Sequence, residues 1–325
     1  MRLLISGAGG FIGSHLVEAS VRAGHRVRCI VHYNSRGDLG HVGDLPLEVR
    51  SEIDVRAIDI RDSEAVDGCC EDVEGVFHLA ALIGIPYSYV APGSYVDVNV
   101  KGTMNFLNAV RKLGIKTLVH TSTSEVYGSA QYVPIDEKHP LVGQSPYSAS
   151  KIAADKLVES YARSFELPAI IIRPFNAFGP RQSLRAVIPT LAGQLLDDRV
   201  SEVQAGTLDT VRDYTYVTDT AAAYLCALES EVPPGRVINI GTGVGHSISD
   251  IYEQLQQLAG IRKPISRDEQ RVRPAQSEVS RLIADATLAH ETLRWHPTVP
   301  FEDGLVCVLD DLRSRRDTQT SRYRI

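Results

Sequence analysis

The sequence predicts an α/β fold: a doubly wound parallel sheet joined to a smaller, mixed α/β C-terminal lobe. Three observations carry this. An apolar run at residues 2–6 leads straight into Gly7-Ala8-Gly9-Gly10-Phe11-Ile12-Gly13 and then into a helical pattern of Ile12, Leu16, Ala19 and Val21. Short apolar segments then alternate with helical periodicity, the pattern of parallel strands joined by right-handed crossovers. After Pro174 that alternation breaks up.

Taken in order, the first strand is followed by a glycine-rich turn. Glycines let the backbone turn tightly and approach a pyrophosphate, whose charge then faces the positive end of the next helix. Strict G-x-G-x-x-G spacing fails because position 12 is Ile; Gly7-x-x-Gly10-x-x-Gly13 fits instead. Between a strand and a helix, this predicts the dinucleotide cradle of a Rossmann sheet. A second strand, Arg26 to Val31, ends in Val31-His32-Tyr33-Asn34-Ser35-Arg36, without the acid that would bind an adenosine ribose. His32 or Arg36 could instead meet a 2′-phosphate, so NAD and NADP both stay open. Residues 37–52, with Gly37, Gly40, Gly43 and Pro46, read as a long surface loop. A third strand around Val55–Ile58 leads into Asp59-Ile60, and a fourth, Val76 to Leu79, into Ala80-Ala81. Both ends belong at the cofactor edge of the sheet. The segment 96–113 carries Val96, Val100, Thr103, Leu107 and Val110 on one helical face, and Thr117 to His120 forms a fifth strand.

That strand ends at Thr121-Ser122-Thr123-Ser124-Glu125-Val126-Tyr127-Gly128, and a second polar stretch follows at Ser145–Lys151. Ser145 as cap and Pro146 at the first helical position place Tyr147 and Lys151 at i and i+4 on one face. An ammonium near a phenol favours the phenolate, lowering a pKa that starts near ~10 and making Tyr147 the candidate general base. Because ligands bind at the carboxyl ends of parallel strands, Ser122–Glu125 and Tyr147 should converge there. His78 and His120 read as core or strand-end residues, with no companions for a metal.

At 325 residues and 43% hydrophobic, the chain suffices for a large core and two lobes. Residues 1–175 form the dinucleotide-binding domain, with returning segments at about 211–245; residues 176–210 and 246–312 form the substrate domain. Helical patterns at Ala186–Leu196 and Ser249–Ala259 and a hydrophobic brace at Trp295-His296-Pro297 and Phe301–Leu305 are pieces of this domain, interleaved with the last strands of the sheet such as Arg236–Ile240. Residues 313–325, with Arg313, Arg315, Arg316, Arg322 and Arg324, read as a solvated basic tail. The chain opens directly on a strand and has no apolar run of bilayer length, so a cytoplasmic protein without membrane partners is expected. Five scattered cysteines predict reduced thiols and no structural metal. A net charge of −6 argues against a nucleic-acid partner.

With the glycine turn, Asp59-Ile60, Thr123 ahead of Val126-Tyr127-Gly128, Tyr147-x-x-x-Lys151, and Arg173-Pro174-Phe175-Asn176-x-Phe178-Gly179-Pro180-Arg181, the chain resembles the extended short-chain dehydrogenase/reductases that act on nucleotide sugars. The resemblance covers nearly the whole chain. It implies a tightly bound NAD or NADP, recycled at each turnover, with contacts from Gly7, Gly10, Phe11, Ile12, Gly13, His32, Arg36, Asp59, Ile60, Leu79, Ala80, Ala81 and Asn99. It makes Thr123 a partner of the sugar 4-hydroxyl, Tyr147 the base, and Lys151 the residue that lowers the tyrosine pKa and holds the nicotinamide ribose. Ser88, Asn176, Arg181, Arg212 and Arg273 become substrate contacts, and arginine–phosphate pairing suits Arg212 and Arg273. A homodimer through the 96–113 and 146–165 helices is also implied.

Ser124-Glu125 bears on the reaction. A 4-epimerase needs only a hydride out and in at carbon 4, whereas Glu125 matches the 4,6-dehydratase base that removes the carbon 5 proton. Thymidine-diphosphoglucose dehydratases carry Asp where this chain has Ser124, a poor acid, so Glu125 delivers the proton or Ser124 orients a water. GDP-mannose dehydratases share Ser-Glu. The same string occurs in UDP-glucuronate decarboxylases, which stay as an alternative beside 4-epimerases. The loop Ala80–Tyr89, apolar and without a cation of its own for a carboxylate, resembles that of dehydratases of the legionaminic acid pathway, which act on GDP- or UDP-linked N-acetylglucosamine. A non-catalytic dinucleotide-binding regulator would keep the glycines and lose Tyr147, Lys151 or Glu125; all three are present.

Overall fold

The structure, a computed structural model, describes residues 1–315 apart from Arg273, Ala275 and Gln276. Its strands are β1 (Arg2–Ser6), β2 (Arg26–His32), β3 (Ile53–Ile58), β4 (Gly75–His78), β5 (Thr117–Thr121), β6 (Ala169–Pro174), β7 (Asn176–Phe178), β8 (Val203–Ala205), β9 (Val211–Tyr216), β10 (Val237–Ile240), β11 (Gly245–Ser247), β12 (Ile265–Arg267) and β13 (Arg281–Leu282). Seven of them form one parallel sheet in the order β3-β2-β1-β4-β5-β6-β10. The strand order reverses between β1 and β4, which opens a crevice at the carboxyl ends of those strands. Helices cover both faces. Leu16, Val17, Tyr224 and Ile238 pack one side and Phe106, Leu107, Val110 and Val158 the other, which is why the strands read as unbroken apolar runs.

Four expectations need correcting. Residues 37–52 are not a plain surface loop: they hold a turn of helix at Gly40–Val42 and another at Leu47–Arg50, and Val42, Leu45 and Val49 are buried against the Phe11–Arg22 helix. The backbone of His41 donates to the Gly9 carbonyl, and a Cβ on Gly40 would lie 2.4 Å from that oxygen, so the segment closes directly over the glycine turn. The helical run at 96–113 opens with a π-helical segment, Val96–Lys101, before the α-helix Gly102–Leu113. Of the returning segment 211–245, β10 and the Val217–Glu229 helix do join the large sheet, but β9 does not: it pairs with β7, β11 and β13 in a second, smaller sheet. Finally, Arg313 and Arg315 do not lie in a loose tail. They end the Phe301–Ser314 helix, ion-paired to Asp310 and Asp311; Arg316, Arg322 and Arg324 lie outside the described residues.

The second lobe packs the Val187–Leu196, Ile248–Ala259 and Phe301–Ser314 helices around Leu191, Leu195, Leu255 and Val308. Two buried carboxylates tie the chain together here. Asp213 of β9 accepts from the amides of Thr242, Gly243 and Ala284. Asp219 accepts from Thr298 and Val299, while Trp295 donates its indole N–H to the Asp219 carbonyl at 2.8 Å. Trp295 is buried in the large-sheet core, the brace the sequence predicted. Among the described residues, no helix is long and apolar enough to cross a membrane.

Candidate active site

The glycine turn lies between β1 and the Phe11–Arg22 helix. Gly7 has φ +72°, where L side chains are strained, and a Cβ there would lie 2.8 Å from the Ala80 nitrogen. A Cβ on Gly13 would lie 2.1 Å from the Gly7 carbonyl oxygen. No side chain caps the helix at Gly10. A bare turn feeding an uncapped helix N-terminus fits a dinucleotide pyrophosphate. The adjoining segment is pinned by a buried chain of hydroxyls and imidazole. Ser6 Oγ accepts from the amides of Leu79 and Ala80 and donates to His78 Nδ1, so His78 Nε2 donates to Thr103, whose hydroxyl donates to the Asn99 carbonyl. Burial holds His78 far below the ordinary imidazole pKa, which keeps it neutral for this role.

The other expected cofactor residues fall in different settings. Asn99 is buried in the π-helical segment, and its amide grips the backbone of Leu82 at 2.8 and 3.0 Å and Ser150 Oγ at 2.9 Å. Its side chain therefore shapes the loop after β4. His32 and Arg36 are exposed at the end of β2, where the Asn34 side chain accepts from the Arg36 and Asp38 amides. Asp59 pairs with Arg61, whose hydrogen bonds hold its carboxyl at about 2, and Ile60 is buried beneath Gly102.

Ser145 caps the Pro146–Phe165 helix in a reciprocal box with Ser148, as the sequence predicts, and so aims Tyr147 at the end of β5. Thr123 caps the short Ser124–Tyr127 turn by accepting from the Glu125 amide at 3.2 Å. Its side chain also hydrogen-bonds Tyr147, and the Glu125 carboxylate acts on the same phenol. Thr123, Glu125 and Tyr147 thus come together; Ser124, beside them in sequence, is buried. One expectation is overturned. Burial, reinforced by Glu125, Tyr95 and Asp155, pushes the Tyr147 phenol up rather than down. The physical reason is the burial of the phenol, whose desolvation as phenolate prevails; Lys151, itself buried, donates its Nζ to the Thr121 carbonyl at 2.6 Å. Burial lowers Lys151 to about 8, with Asp155 opposing the shift.

Beneath this pair lies a polar network that sequence reasoning missed. Asp155 receives Ser122 Oγ at 2.8 Å and Arg173 Nε and Nη2 at 3.1 and 2.9 Å; Arg173 continues to Tyr127 at 3.0 Å, and Tyr127 to Asn239 at 2.7 Å. The i+4 step from Lys151 to Asp155 was a signal for it. Tyr95 was also missed: its ring stands edge-on to Tyr147 at 6.2 Å and its hydroxyl donates to the Gly84 carbonyl.

The expected substrate residues divide. Asn176 lies on β7 and Arg212 on the adjoining β9, buried, with Nη1 donating to Val211 O at 3.1 Å and Nη2 3.8 Å from Glu278. Arg181 is committed elsewhere: its Nη2 meets Glu18 at 2.7 Å and His15 at 2.9 Å, and its amide donates to Asp311. Ser88 is buried with its hydroxyl on Ile85 O at 2.7 Å, closing its own helical turn. Arg273 lies outside the described residues. A residue with no sequence signal joins the loop instead: Arg185 Nη2 sits 3.1 Å from where a Gly84 Cβ would be, beside Tyr95.

The chain is similar to known proteins over nearly its whole length. The GDP-mannose 4,6-dehydratase family matches residues 4–307. A dTDP-glucose 4,6-dehydratase of Streptomyces antibioticus is 31% identical over 97% of this chain and 93% of its own. A UDP-glucose 4-epimerase of Mycolicibacterium smegmatis is 31% identical over 97% of this chain and 99% of its own. The crystal structure of a UDP-glucuronic acid 4-epimerase from Bacillus cereus, in complex with UDP-glucuronic acid and NAD, superposes with a TM-score of 0.88 at 29% identity, covering 97% of this chain and all of the other.

Proposed function

Because the chain belongs to the GDP-mannose 4,6-dehydratase family, within the extended short-chain dehydrogenase/reductases, we propose that it is a nucleotide-sugar 4,6-dehydratase acting on a GDP- or UDP-linked N-acetylhexosamine. The observation that carries this reading is the Glu125 carboxylate acting on the Tyr147 phenol. Simple epimerisation at carbon 4 has no use for a second base there. The glycine turn and Leu79–Ala81 would hold the cofactor, NAD by likeness to the Bacillus cereus complex, which supplies a reversible hydride acceptor when bound.

On this reading Tyr147 takes the proton of the sugar 4-hydroxyl while Thr123 aligns that oxygen. The resulting 4-ketone makes the carbon 5 proton acidic. Glu125 removes that proton and passes one to the 6-hydroxyl, which leaves as water; Ser124 is too weak an acid for that step. The hydride released from carbon 4 returns at carbon 6 and a proton returns at carbon 5, so the net reaction is loss of one water. Leu82, Ile83 and Ile85 line the neighbouring loop and suit an uncharged carbon 6 and an acetamido methyl. Val96, Leu113 and Phe165 are exposed on the 96–113 and 146–165 helices, which supports a homodimer through them.

A second reading is favoured by one observation. Arg185 places a cation against Gly84 of that loop, and among the described residues no carboxylate pairs with it, so a uronate could be accommodated for epimerisation or decarboxylation. Chromatographic separation coupled to mass spectrometry, after incubation with GDP-N-acetylglucosamine, UDP-N-acetylglucosamine and UDP-glucuronate, separates the two. Loss of one water from an N-acetylglucosamine nucleotide is the expected result. Loss of carbon dioxide from UDP-glucuronate, or an isomer of unchanged mass as the sole product, would overturn it.

A further inference from the structure

A buried cluster of charges lies beneath Tyr147 and Lys151. Asp155 follows Lys151 by four residues and Tyr147 by eight on the Pro146–Phe165 helix, so the three share one face. Three consecutive residues at the end of β5 clasp this face. His120 Nε2 lies 3.6 Å from Asp155 Oδ1, the Thr121 carbonyl accepts from Lys151 at 2.6 Å, and Ser122 donates to Asp155 Oδ2 at 2.8 Å. From β6, Arg173 donates two bonds to the same Oδ2. Asp155 and His120 are fully buried, and Lys151 and Arg173 nearly so.

We propose that Asp155 is a positioning residue: its carboxylate balances the buried Lys151 ammonium and thereby sets the pH range over which Tyr147 and Lys151 work. This rests on the reading of Tyr147 as base. A buried ammonium without a counter-charge sheds its proton, because the charged form is the one that desolvation penalises. Burial alone would raise Asp155, yet the bonds from His120 and Arg173 and the nearby Lys151 charge outweigh it and keep the carboxyl below its usual range. Burial holds His120 at about 4 and so neutral at working pH. His78, Tyr95, Tyr224 and Glu125 also face the Tyr147–Lys151 pair; among the buried groups, the charges are Lys151 and Arg173 against Asp155.

The sign of the effect follows. Without the Asp155 charge, Lys151 and Arg173 are left buried without a buried counter-charge, and Tyr147 loses one of the negative charges that raise it. Both Tyr147 and Lys151 then release their protons at lower pH, so both limbs of the pH–rate profile move in the acid direction together. An Asp155 that merely anchored Arg173 to Tyr127 would lower stability or turnover and leave the limbs in place.

The test reads Lys151 directly, in protein carrying 13Cε-labelled lysine, with its signal identified by loss in Lys151→Met. Substrate is not needed, so failure of the dehydratase reading would show as absent turnover and leave this measurement intact. The Lys151 midpoint should fall by about one pH unit or more in Asp155→Asn and recover in Asp155→Glu. With a substrate in hand, both limbs of kcat/KM should follow. Coincident Lys151 midpoints in wild type and Asp155→Asn would overturn the proposal. Should Asp155→Asn not fold, wild-type protein with 13C-labelled aspartate carboxyls decides: Asp155, assigned through the Asp155→Glu variant, should be ionised at neutral pH, and a protonated Asp155 would refute the charge balance.

Discussion

At the scale of single residues, the chemistry rests on side chains whose partners determine what they are free to do. Glu125 emerges from a one-turn helix that Thr123 caps, and its carboxylate is close enough to the Tyr147 phenol to raise it. Removing that charge should separate two halves of the reaction. Glu125→Gln is expected to keep the oxidation at carbon 4, visible as transient absorbance of reduced nicotinamide, while formation of the 4-keto-6-deoxy product falls by about 10²–10⁴-fold. Product formation at the wild-type rate would remove Glu125 from the mechanism. Thr123, Tyr147 and Lys151 were legible in the sequence because each sits at a fixed offset along one element. Arg181 and Ser88 were not, since what claims their polar atoms is a carboxylate far away in the chain for Arg181 and a carbonyl within its own short helix for Ser88. The expected lowering of Tyr147 failed for a different reason: i+4 spacing says nothing of burial, and desolvation of the buried phenol prevails.

Among the elements, the glycine turn is the most constrained. The Gly7 carbonyl oxygen stands where a Gly13 side chain would begin, and the backbone of Ala80 lies against Gly7. Gly13→Ala should therefore cost about 1–3 kcal/mol or more of stability, because backbone on both sides leaves little room to relax. Dinucleotide affinity should be lost with it, which thermal unfolding and cofactor titration would measure; undiminished binding would show that the turn is not the cradle. Strand–turn–helix order was readable here from periodicity alone. The segment 37–52 was misread because Gly and Pro punctuation signals turns but not burial: Val42, Leu45 and Val49 fall at helical i, i+3, i+7 spacing, but Gly43 and Pro46 between them hid it. The π-helical segment at Val96–Lys101 was equally invisible, since one widened turn leaves the apolar face of the run almost unchanged.

Across the whole molecule, two arginines read from sequence as substrate contacts sit in different settings. Arg181, in a positive-φ conformation, ties the second lobe to the first helix through Glu18 and His15 and to the last helix through Asp311. Arg212 instead lies buried on β9, beside the β7 strand that carries Asn176. From sequence both were substrate contacts, with the diphosphate falling to Asn176, Arg212 and Arg273, because nothing in a short motif reports which carboxylates the folded lobes bring near. The two should part company on substitution. Arg181→Ala removes a partly buried ion pair with Glu18, so it should lower the unfolding temperature while leaving the affinity for free UDP or GDP within about twofold of wild type. Arg212→Lys keeps the charge but loses the planar fork that matches a phosphate, so nucleotide affinity should fall by about tenfold. Calorimetric titration with UDP and GDP alongside thermal unfolding measures both quantities. Should Arg181→Ala lose nucleotide affinity as steeply as Arg212→Lys, Arg181 would belong to the diphosphate site after all, and its pairing with Glu18 would have to break when substrate binds.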